Sequence, residues 1–138
     1  MTAILDTSFL FALTDKSDRN HSRVVNLAKT LSEPLILLTV VLPEVCYLIS
    51  SRLGHQVMRR FLIELAAAKD IQLKSLLPED LERINEILEK YSDSQLDFTD
   101  AAIITFAERN NITRILTLDR RDFELVRPRH CNYFELLP

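Results

Sequence analysis

Two patterns of apolar and polar residues alternate along the chain. Short apolar runs are typical of buried strands, whereas stretches in which apolar residues recur every three or four positions are typical of helices with one buried face. The runs predict strands at residues 3–5, 35–39, 71–74, 114–118 and 132–136. The periodic stretches predict helices at residues 8–13, 20–31, 43–52, 55–69, 78–91 and 100–109. This alternation predicts βαβ units with right-handed crossovers and a parallel sheet covered by helices on both faces.

Residue types at the ends of two helices refine the prediction. Pro78, followed by two acidic residues, is a strong helix start. Thr99 is expected to cap the helix at 100–109, and Asn110 and Asn111 are expected to end it, because asparagine tolerates left-handed backbone where glycine is absent. The predicted buried faces of helices 55–69 and 78–91 consist of Val57, Phe61, Leu62 and Leu65, and of Leu81, Ile84, Ile87 and Leu88.

Length and composition predict one globular domain spanning residues 1–138, with 47% hydrophobic and 27% charged residues. The chain has a single glycine, Gly54. A Walker A loop needs two glycines and a dinucleotide-binding turn needs three, because the backbone must approach phosphate where a Cβ would clash. Both motifs are therefore excluded, and any phosphate must be handled by side chains or by a metal ion.

Charge and cysteine content narrow the class of protein further. The net charge of −3 gives no overall field that would draw the chain onto nucleic acid. Cys46 and Cys131 are not spaced like zinc ligands and fit reduced core residues. The first residues lack the basic segment of a signal peptide, and the longest apolar run, 35–45, is too short and too interrupted to span a bilayer. We therefore expect a cytoplasmic protein with no membrane partner.

The charges are unevenly distributed. Residues 70–100 contain nine acidic and three basic side chains, whereas residues 109–130 contain six arginines and three acidic side chains. The default interpretation is solvated helix faces. The functional alternative is an electropositive rim beside an acidic centre.

Four carboxylates stand in unusually apolar surroundings. Asp6 directly follows the first predicted strand and Asp119 directly follows RILTL, the fourth. Asp100 begins a nearly all-apolar helix, and Glu44 lies in the apolar window VLPEVCYLI. Buried carboxylates are costly unless they are paired or bound to metal, and Arg120 is the one basic residue close to any of them in sequence.

The predicted topology brings these acids together. Ligands bind at the carboxyl ends of parallel strands, where the strand order reverses. If the first and fourth strands are neighbours there, Asp6 and Asp119 face each other, and Asp100 and Glu44 join them from first helical turns. Converging carboxylates raise one another's pKa unless a cation neutralises them. An oxygen-only ligand set favours Mg²⁺ or Mn²⁺ over Zn²⁺.

Each acid taken alone has an ordinary structural explanation, such as a helix cap for Asp6 or a turn for Asp119. The coincidence of all four favours chemistry. Other candidates have supporting roles at most, with capping or strand packing as the alternative. Asp97 suits a helix start and Asp122 suits hydrogen bonding to the site. The hydroxyls that are placed to hold a bound water belong to Thr7, Ser8 and Thr117.

The ordered motifs of the whole chain resemble the PIN-domain nucleases, and within them the VapC-type toxins of bacterial toxin–antitoxin pairs. The resemblance runs from ILDTSFLFAL through VLPEVCYLI and LDFTDAAIITFAERN to ILTLDRRDF and FELLP. It maps the family's acidic positions onto Asp6, Glu44, Asp100 and Asp119, with Asp97 and Asp122 in supporting positions. It implies a three-layer α/β/α fold with a central parallel sheet of four to five strands. It also implies Mg²⁺- or Mn²⁺-dependent RNA cleavage, a homodimer and inhibition by a cognate antitoxin.

On this interpretation the chain is a metal-dependent endoribonuclease that hydrolyses RNA by in-line attack of water. One or two ions would be held by the four main acids. Contacts to the RNA backbone are expected from Arg120, Arg121, Arg127 and Arg129.

Two alternatives belong to other functional classes. One is a catalytically silent metal-binding or regulatory module, in which the acids hold a structural cation and a partner protein matters most. The other is a receiver-like phospho-acceptor domain. That class needs an aspartate at the end of the third strand, where this chain has Lys74, Ser75 and Leu76.

Overall fold

A computed structural model describes residues 2–138 of the chain. Its centre is a five-stranded sheet with the order β3-β2-β1-β4-β5, in which every neighbouring pair is parallel. The predicted parallel sheet is confirmed. Its order places the first and fourth strands side by side. The strands are β1 (Ala3–Leu5), β2 (Leu35–Leu38), β3 (Ile71–Lys74), β4 (Arg114–Leu116) and β5 (Glu135–Leu137).

Helices cover both faces of this sheet. Right-handed crossovers from β1 to β2 and from β2 to β3 place four helices on one face, and the return to β4 and β5 places the others on the opposite face. The three-layer α/β/α prediction is therefore confirmed. The helices are α1 (Thr7–Thr14), α2 (His21–Thr30), α3 (Leu42–Leu53), α4 (His55–Ala67), α5 (Pro78–Lys90), α6 (Phe98–Arg109) and α7 (Arg121–Leu125), with short 3₁₀ turns at Thr39–Val41 and Ser92–Ser94.

The core is densest around β1 and α6. All three residues of β1 are fully buried, because β1 is the middle strand and has helices above and below it. In α6 the residues from Asp100 to Ala107 are all buried, so this helix has no polar face along most of its length. None of the helices within residues 2–138 is long and apolar enough to cross a membrane. A carboxylate that follows β1 or begins α6 is therefore placed at the edge of the driest part of the molecule.

The single glycine joins two helices and plays no part in the sheet edge. Gly54 follows α3 and precedes α4. Its φ of 108° is a backbone conformation that residues with a Cβ rarely adopt. Asn111, after α6, has φ 53°, as expected for an asparagine that ends a helix without glycine.

The structure corrects several predicted details. The cap of α6 is Asp97, whose Oδ1 accepts the Asp100 N–H at 2.8 Å, and not Thr99, which lies inside the helix. Leu62 and Leu81 face solvent with exposures of 41% and 53%, so the buried faces of α4 and α5 are narrower than predicted. Strand β4 ends at Leu116, before the predicted residue 118, and β5 is displaced to Glu135–Leu137. The short α7 and the two 3₁₀ turns were not predicted.

Paired ions join α5 to α6. Arg109 donates from Nε and Nη2 to the two carboxylate oxygens of Asp80, at 2.9 and 3.0 Å. Arg83 makes the same kind of two-bond pair with Glu108, at 2.8 and 2.9 Å. Burial opposes ionisation of Asp80, but bonds from Arg109 and from the Leu77 N–H outweigh it and hold its pKa below the usual value. These pairs fix the position of α6 against α5, and with it the position of Asp100.

We expect Asp80→Asn to lower the free energy of unfolding by about 1.5–3 kcal/mol at pH 7, the range for hydrogen bonds to a charged group. Because the pKa of Asp80 is lowered in the folded state, its stabilisation is present at neutral pH and is lost as pH falls below about 4. Urea unfolding at both pH values measures this, with Glu82→Gln on the exposed side of α5 as the control. Equal stability of the two variants at pH 7 would contradict the prediction.

Candidate functional site

Asp6 lies at the carboxyl end of β1, between the ends of its two neighbouring strands. Its N–H donates to the Leu116 carbonyl of β4 at 3.0 Å, and its side chain is 5% exposed. Thr117 Oγ1 donates to Asp6 Oδ2 at 2.7 Å. Burial raises the pKa of Asp6 to about 6. The hydrogen bonds from Thr117, the Thr7 N–H and Ser8 oppose the rise, and the charge of Glu44 adds to it.

Asp100 approaches Asp6 from the first turn of α6. Its side chain is 8% exposed. Its pKa is raised to about 9, and burial is the largest cause. A hydrogen bond with the Asp122 carboxyl group and the negative charges of Asp6, Asp97 and Asp122 raise the pKa further. Two carboxyl groups form such a bond when they share a proton. Asp6 and Asp100 are thus two buried acids close enough to repel each other, and within residues 2–138 neither forms an ion pair with lysine or arginine.

The two supporting acids stand on either side of Asp100. Asp97 is exposed and caps α6, so its charge acts on Asp100 from one turn away. Asp122 is half-buried in α7 and bonds to Asp100 directly. A helix at 121–125 could not be predicted from the sequence, because five residues are too few to show a periodicity. The spacing in DRRDF, with Asp122 three residues after Asp119 and Phe123 facing the core, was the available signal.

Glu44 and Asp119 lie at the open side of this group. Glu44 is exposed in the first turn of α3, although its sequence window is strongly apolar, and its charge still raises the pKa of Asp6. Asp119 is exposed in the turn between β4 and α7. Its N–H donates to Thr117 Oγ1 at 3.0 Å, so its backbone is one hydroxyl away from Asp6. Its carboxylate makes no hydrogen bond to any other residue in the part of the chain that is described.

The hydroxyl groups beside Asp6 differ in their contacts. Thr117 is 1% exposed and bonds to both Asp6 and the Asp119 backbone. Thr7 Oγ1 is buried and, among residues 2–138, has no hydrogen-bond partner. Ser8 Oγ contacts Asp6, Thr117 and the Leu118 N–H, whereas the sequence predicted for this hydroxyl a bound water, with capping or strand packing as the alternative.

The four arginines expected to contact RNA are placed differently from one another. Arg120 donates to the Leu136 and Pro138 carbonyls and to Glu124, so it covers the outer edge of β5. Arg129 pairs with Glu86, and its backbone N–H donates to Glu108. Glu108 lies eight residues after Asp100 in α6, or about 12 Å along the helix at 1.5 Å per residue. The guanidinium groups of Arg121 and Arg127 form no such bonds within the described chain, and both side chains are exposed.

The donor chemistry of this group fits a divalent cation. All its donors are oxygens, which Mg²⁺ and Mn²⁺ prefer, and their mutual repulsion is relieved by positive charge. Across residues 2–138 no three His, Cys, Asp or Glu side chains are already arranged around one metal position. Mg²⁺ commonly keeps several waters and takes only one or two carboxylates from the protein, so a pair such as Asp6 and Asp100 fits the number of donors that this ion needs.

Comparisons with known proteins show the family to which this sequence is similar. The model of the PIN domain family matches residues 3–127. Ribonuclease VapC26 of Mycobacterium tuberculosis is 32% identical over 135 residues, which cover 98% of this chain and 99% of that protein.

Solved structures share the fold. The sarcin–ricin-loop-cleaving toxin VapC20 of Mycobacterium tuberculosis has a TM-score of 0.79 at 19% identity, over 87% of this chain and 91% of that one. VapBC2 from Rickettsia felis, bound to a promoter DNA fragment, has a TM-score of 0.72 at 14% identity over 100% of both chains. A toxin–antitoxin complex from Klebsiella pneumoniae has a TM-score of 0.69 at 18% identity, over 90% and 92%.

The raised pKa values of the two buried acids predict an unusual pH dependence of stability in metal-free protein. The folded state keeps protons that the unfolded chain releases between about pH 4 and pH 9, so the free energy of unfolding falls as pH rises through this window. Asp100→Asn removes the contribution of Asp100. We expect its Tm to exceed that of wild type by about 4 °C or more at pH 8, from roughly 1 kcal/mol, and to match it near pH 4.

Thermal unfolding in EDTA measures this difference. Asp93→Asn, in the exposed 3₁₀ turn before α6, is the matched control and should leave the pH dependence unchanged. Identical Tm values for wild type and Asp100→Asn at pH 8 would show that Asp100 is not in the environment described here.

Proposed function

The chain belongs to the PIN domain family, among its VapC-type members, and from that membership and its buried acids we propose that it is a metal-dependent endoribonuclease acting as the toxin of a toxin–antitoxin pair. We further propose that residues 1–138 act as a single nuclease domain in the cytoplasm. The observation that carries the proposal is the pair Asp6 and Asp100, buried at the point where the strand order reverses and without a cationic partner in the described chain.

The proposed ligands of one or two Mg²⁺ or Mn²⁺ ions are Asp6, Asp100 and Asp119, with Glu44 binding directly or through water. When bound, such ions supply positive charge for the phosphodiester group and acidify water. Asp6 is held by the Thr117 hydroxyl, so its carboxylate is oriented before substrate arrives. The exposed Glu44 carboxylate is accessible to orient the attacking water.

RNA is the proposed substrate because the relative that covers nearly the whole chain is named a ribonuclease. Arg121 and Arg127 are the proposed contacts to the RNA backbone, because their exposed guanidinium groups are not bonded within the described chain. Arg120 and Arg129 are candidates of lower rank, since both are used in bonds to other parts of the fold. Such contacts position the strand without selecting its sequence.

A groove of about 340 Å³ between α1, α4 and β3 is the proposed antitoxin site. Its floor is apolar, and Lys16, Arg60 and Glu64 stand among its lining residues. An amphipathic helix fits such a groove through apolar residues spaced three and four apart. The solved toxin–antitoxin complexes of the same fold support an antitoxin as partner. We also propose that the chain forms a homodimer.

The receiver-like alternative finds no support in the structure. Strand β3 ends at Lys74, which is exposed at one edge of the sheet and is not an acceptor aspartate. The silent metal-binding module differs from the proposed nuclease only in activity, so the activity experiment separates them.

We expect Asp6→Asn to lower RNA cleavage by at least about 100-fold, because even outer-shell partners of metal ligands are worth 10–100-fold. The wild type should cleave RNA with Mg²⁺ or Mn²⁺ and lose that activity in EDTA. Gel analysis of cleaved total RNA measures both effects, with Asp93→Asn as the control. Wild-type protein that binds Mn²⁺ yet cleaves no RNA would favour the regulatory module, and an active Asp6→Asn would refute the proposed site.

We expect Ala68→Glu to weaken antitoxin binding at least about 10-fold, or 1.4 kcal/mol. Ala68 is half-buried and lines the groove, so a longer charged side chain there obstructs an apolar helix. Ala66→Glu, at an exposed position in the last turn of α4, two residues before Ala68, is the matched control. Calorimetric titration with the proposed cognate antitoxin measures the affinity. Equal weakening by both variants would argue against the groove, and RNA cleavage by both should match wild type.

A further inference from the structure

A chain of hydroxyl groups joins the first turn of α1 to the turn that carries Asp119. Ser8 Oγ accepts the Leu118 N–H at 2.9 Å and lies 3.1 Å from Thr117 Oγ1 and 3.4 Å from Asp6 Oδ2. Thr117 Oγ1 in turn lies 2.7 Å from Asp6 Oδ2 and accepts the Asp119 N–H at 3.0 Å. Two hydroxyls from distant parts of the sequence therefore meet beside one carboxylate.

The number of available protons gives this chain a direction. Each hydroxyl donates one hydrogen bond and accepts two. Thr117 donates to Asp6, its shortest contact, and accepts the Asp119 N–H. Ser8 receives from the Leu118 N–H. The Ser8 proton has two acceptors within reach, Asp6 Oδ2 and Thr117 Oγ1, so the bonds from the Leu118 N–H and from the Asp119 N–H both lead through a hydroxyl to the Asp6 carboxylate. Bonds in such a series polarise and strengthen one another.

The same hydroxyls hold backbone that has left the sheet. Thr117 N–H still donates to the Leu137 carbonyl of β5 at 2.8 Å, but the next two N–H groups have no strand to pair with. Ser8 accepts the first of them and Thr117 the second. An N–H left unpaired at a partly buried position destabilises the fold. The path of the turn toward Asp119 is thus determined by side chains from α1 and from the turn itself.

We infer that Ser8 is a positioning residue for the acidic site, because its hydroxyl fixes the turn that carries Asp119 relative to Asp6. The inference rests on the proposed function, in which both carboxylates bind the metal ion. Ser8 does not cap α1: that position belongs to Asp6, and Ser8 lies one residue inside the helix. Its oxygen is used instead for the Leu118 N–H and for Thr117, which are 110 and 109 residues away in sequence.

Mn²⁺ titration calorimetry on the full-length chain tests the inference. We expect Ser8→Ala to weaken Mn²⁺ binding by about 10–100-fold, the range for loss of an outer-shell partner. Ser8→Thr restores a hydroxyl and should recover most of the affinity. Ser22→Ala, at an exposed position of α2, is the matched control and should bind Mn²⁺ like wild type. RNA cleavage by Ser8→Ala should show a lower kcat with little change in KM.

Amide hydrogen exchange in EDTA supplies a second readout that needs neither metal nor RNA. Ser8→Ala should speed exchange at Leu118 and Asp119 by at least about 10-fold, corresponding to 1.4 kcal/mol, and leave Leu10 in α1 unchanged. Wild-type Mn²⁺ affinity in Ser8→Ala, or unchanged exchange at Leu118, would overturn the inference. Wild-type protein that binds no Mn²⁺ would instead overturn the proposed function, and exchange at Leu118 would still decide whether Ser8 holds the turn.

Discussion

The structure of this protein depends on one feature that costs free energy, a carboxyl group buried at the end of its most buried strand. Strand β1 is fully buried, so the residue that follows it leaves the core at the centre of the sheet edge. Asp6 stands there with 5% of its surface exposed and with its pKa raised to about 6, chiefly by burial. A charge in such a place must be solvated by the protein. The hydroxyl of Thr117 and the N–H of Thr7 do so in part, and the rest of the site is organised around that need.

A second buried acid, Asp100, adds to the free-energy cost of ionising Asp6, because the two negative charges repel each other. Asp100 is held beside Asp6 because α6 is apolar on nearly all sides and packs between the sheet and α5. The ion pairs of Asp80 with Arg109 and of Arg83 with Glu108 prevent α6 from sliding along α5. The fold thus uses strong pairs at one end of α6 to hold an unpaired carboxyl group at the other. Such separation of stabilising from destabilising groups is expected of functional sites.

The sequence predicted β1 and β3 to the residue, since short apolar runs with clear breaks leave little choice of boundary. The prediction extended β4 by two residues, because Thr117 and Leu118 suit a strand equally well. In the structure the Leu118 N–H donates to the Ser8 hydroxyl and not to a neighbouring strand, a contact that the sequence does not reveal. The prediction also placed Glu44 in apolar surroundings, although one face of α3 is exposed. The sequence predicted that Asp122 bonds to the site, but not that its partner is Asp100, because that contact depends on a helix of five residues whose position is set by tertiary packing.

The uneven charge distribution along the sequence has an explanation that neither solvated helix faces nor an electropositive rim provides. Arginines of the basic segment pair with acids of the acidic one: Arg109 with Asp80, and Arg129 with Glu86. Arg114 pairs with Glu135, and Arg120 covers the edge of β5. Most of the positive charge near the site is therefore used within the fold, while Asp6 and Asp100 are left with hydroxyl and carboxyl neighbours. Because the chain also has no glycine loop to bring backbone N–H groups to a phosphate, a divalent cation is the remaining means by which these acids can act on one. This makes metal binding at Asp6 and Asp100 the step on which the proposed nuclease activity depends.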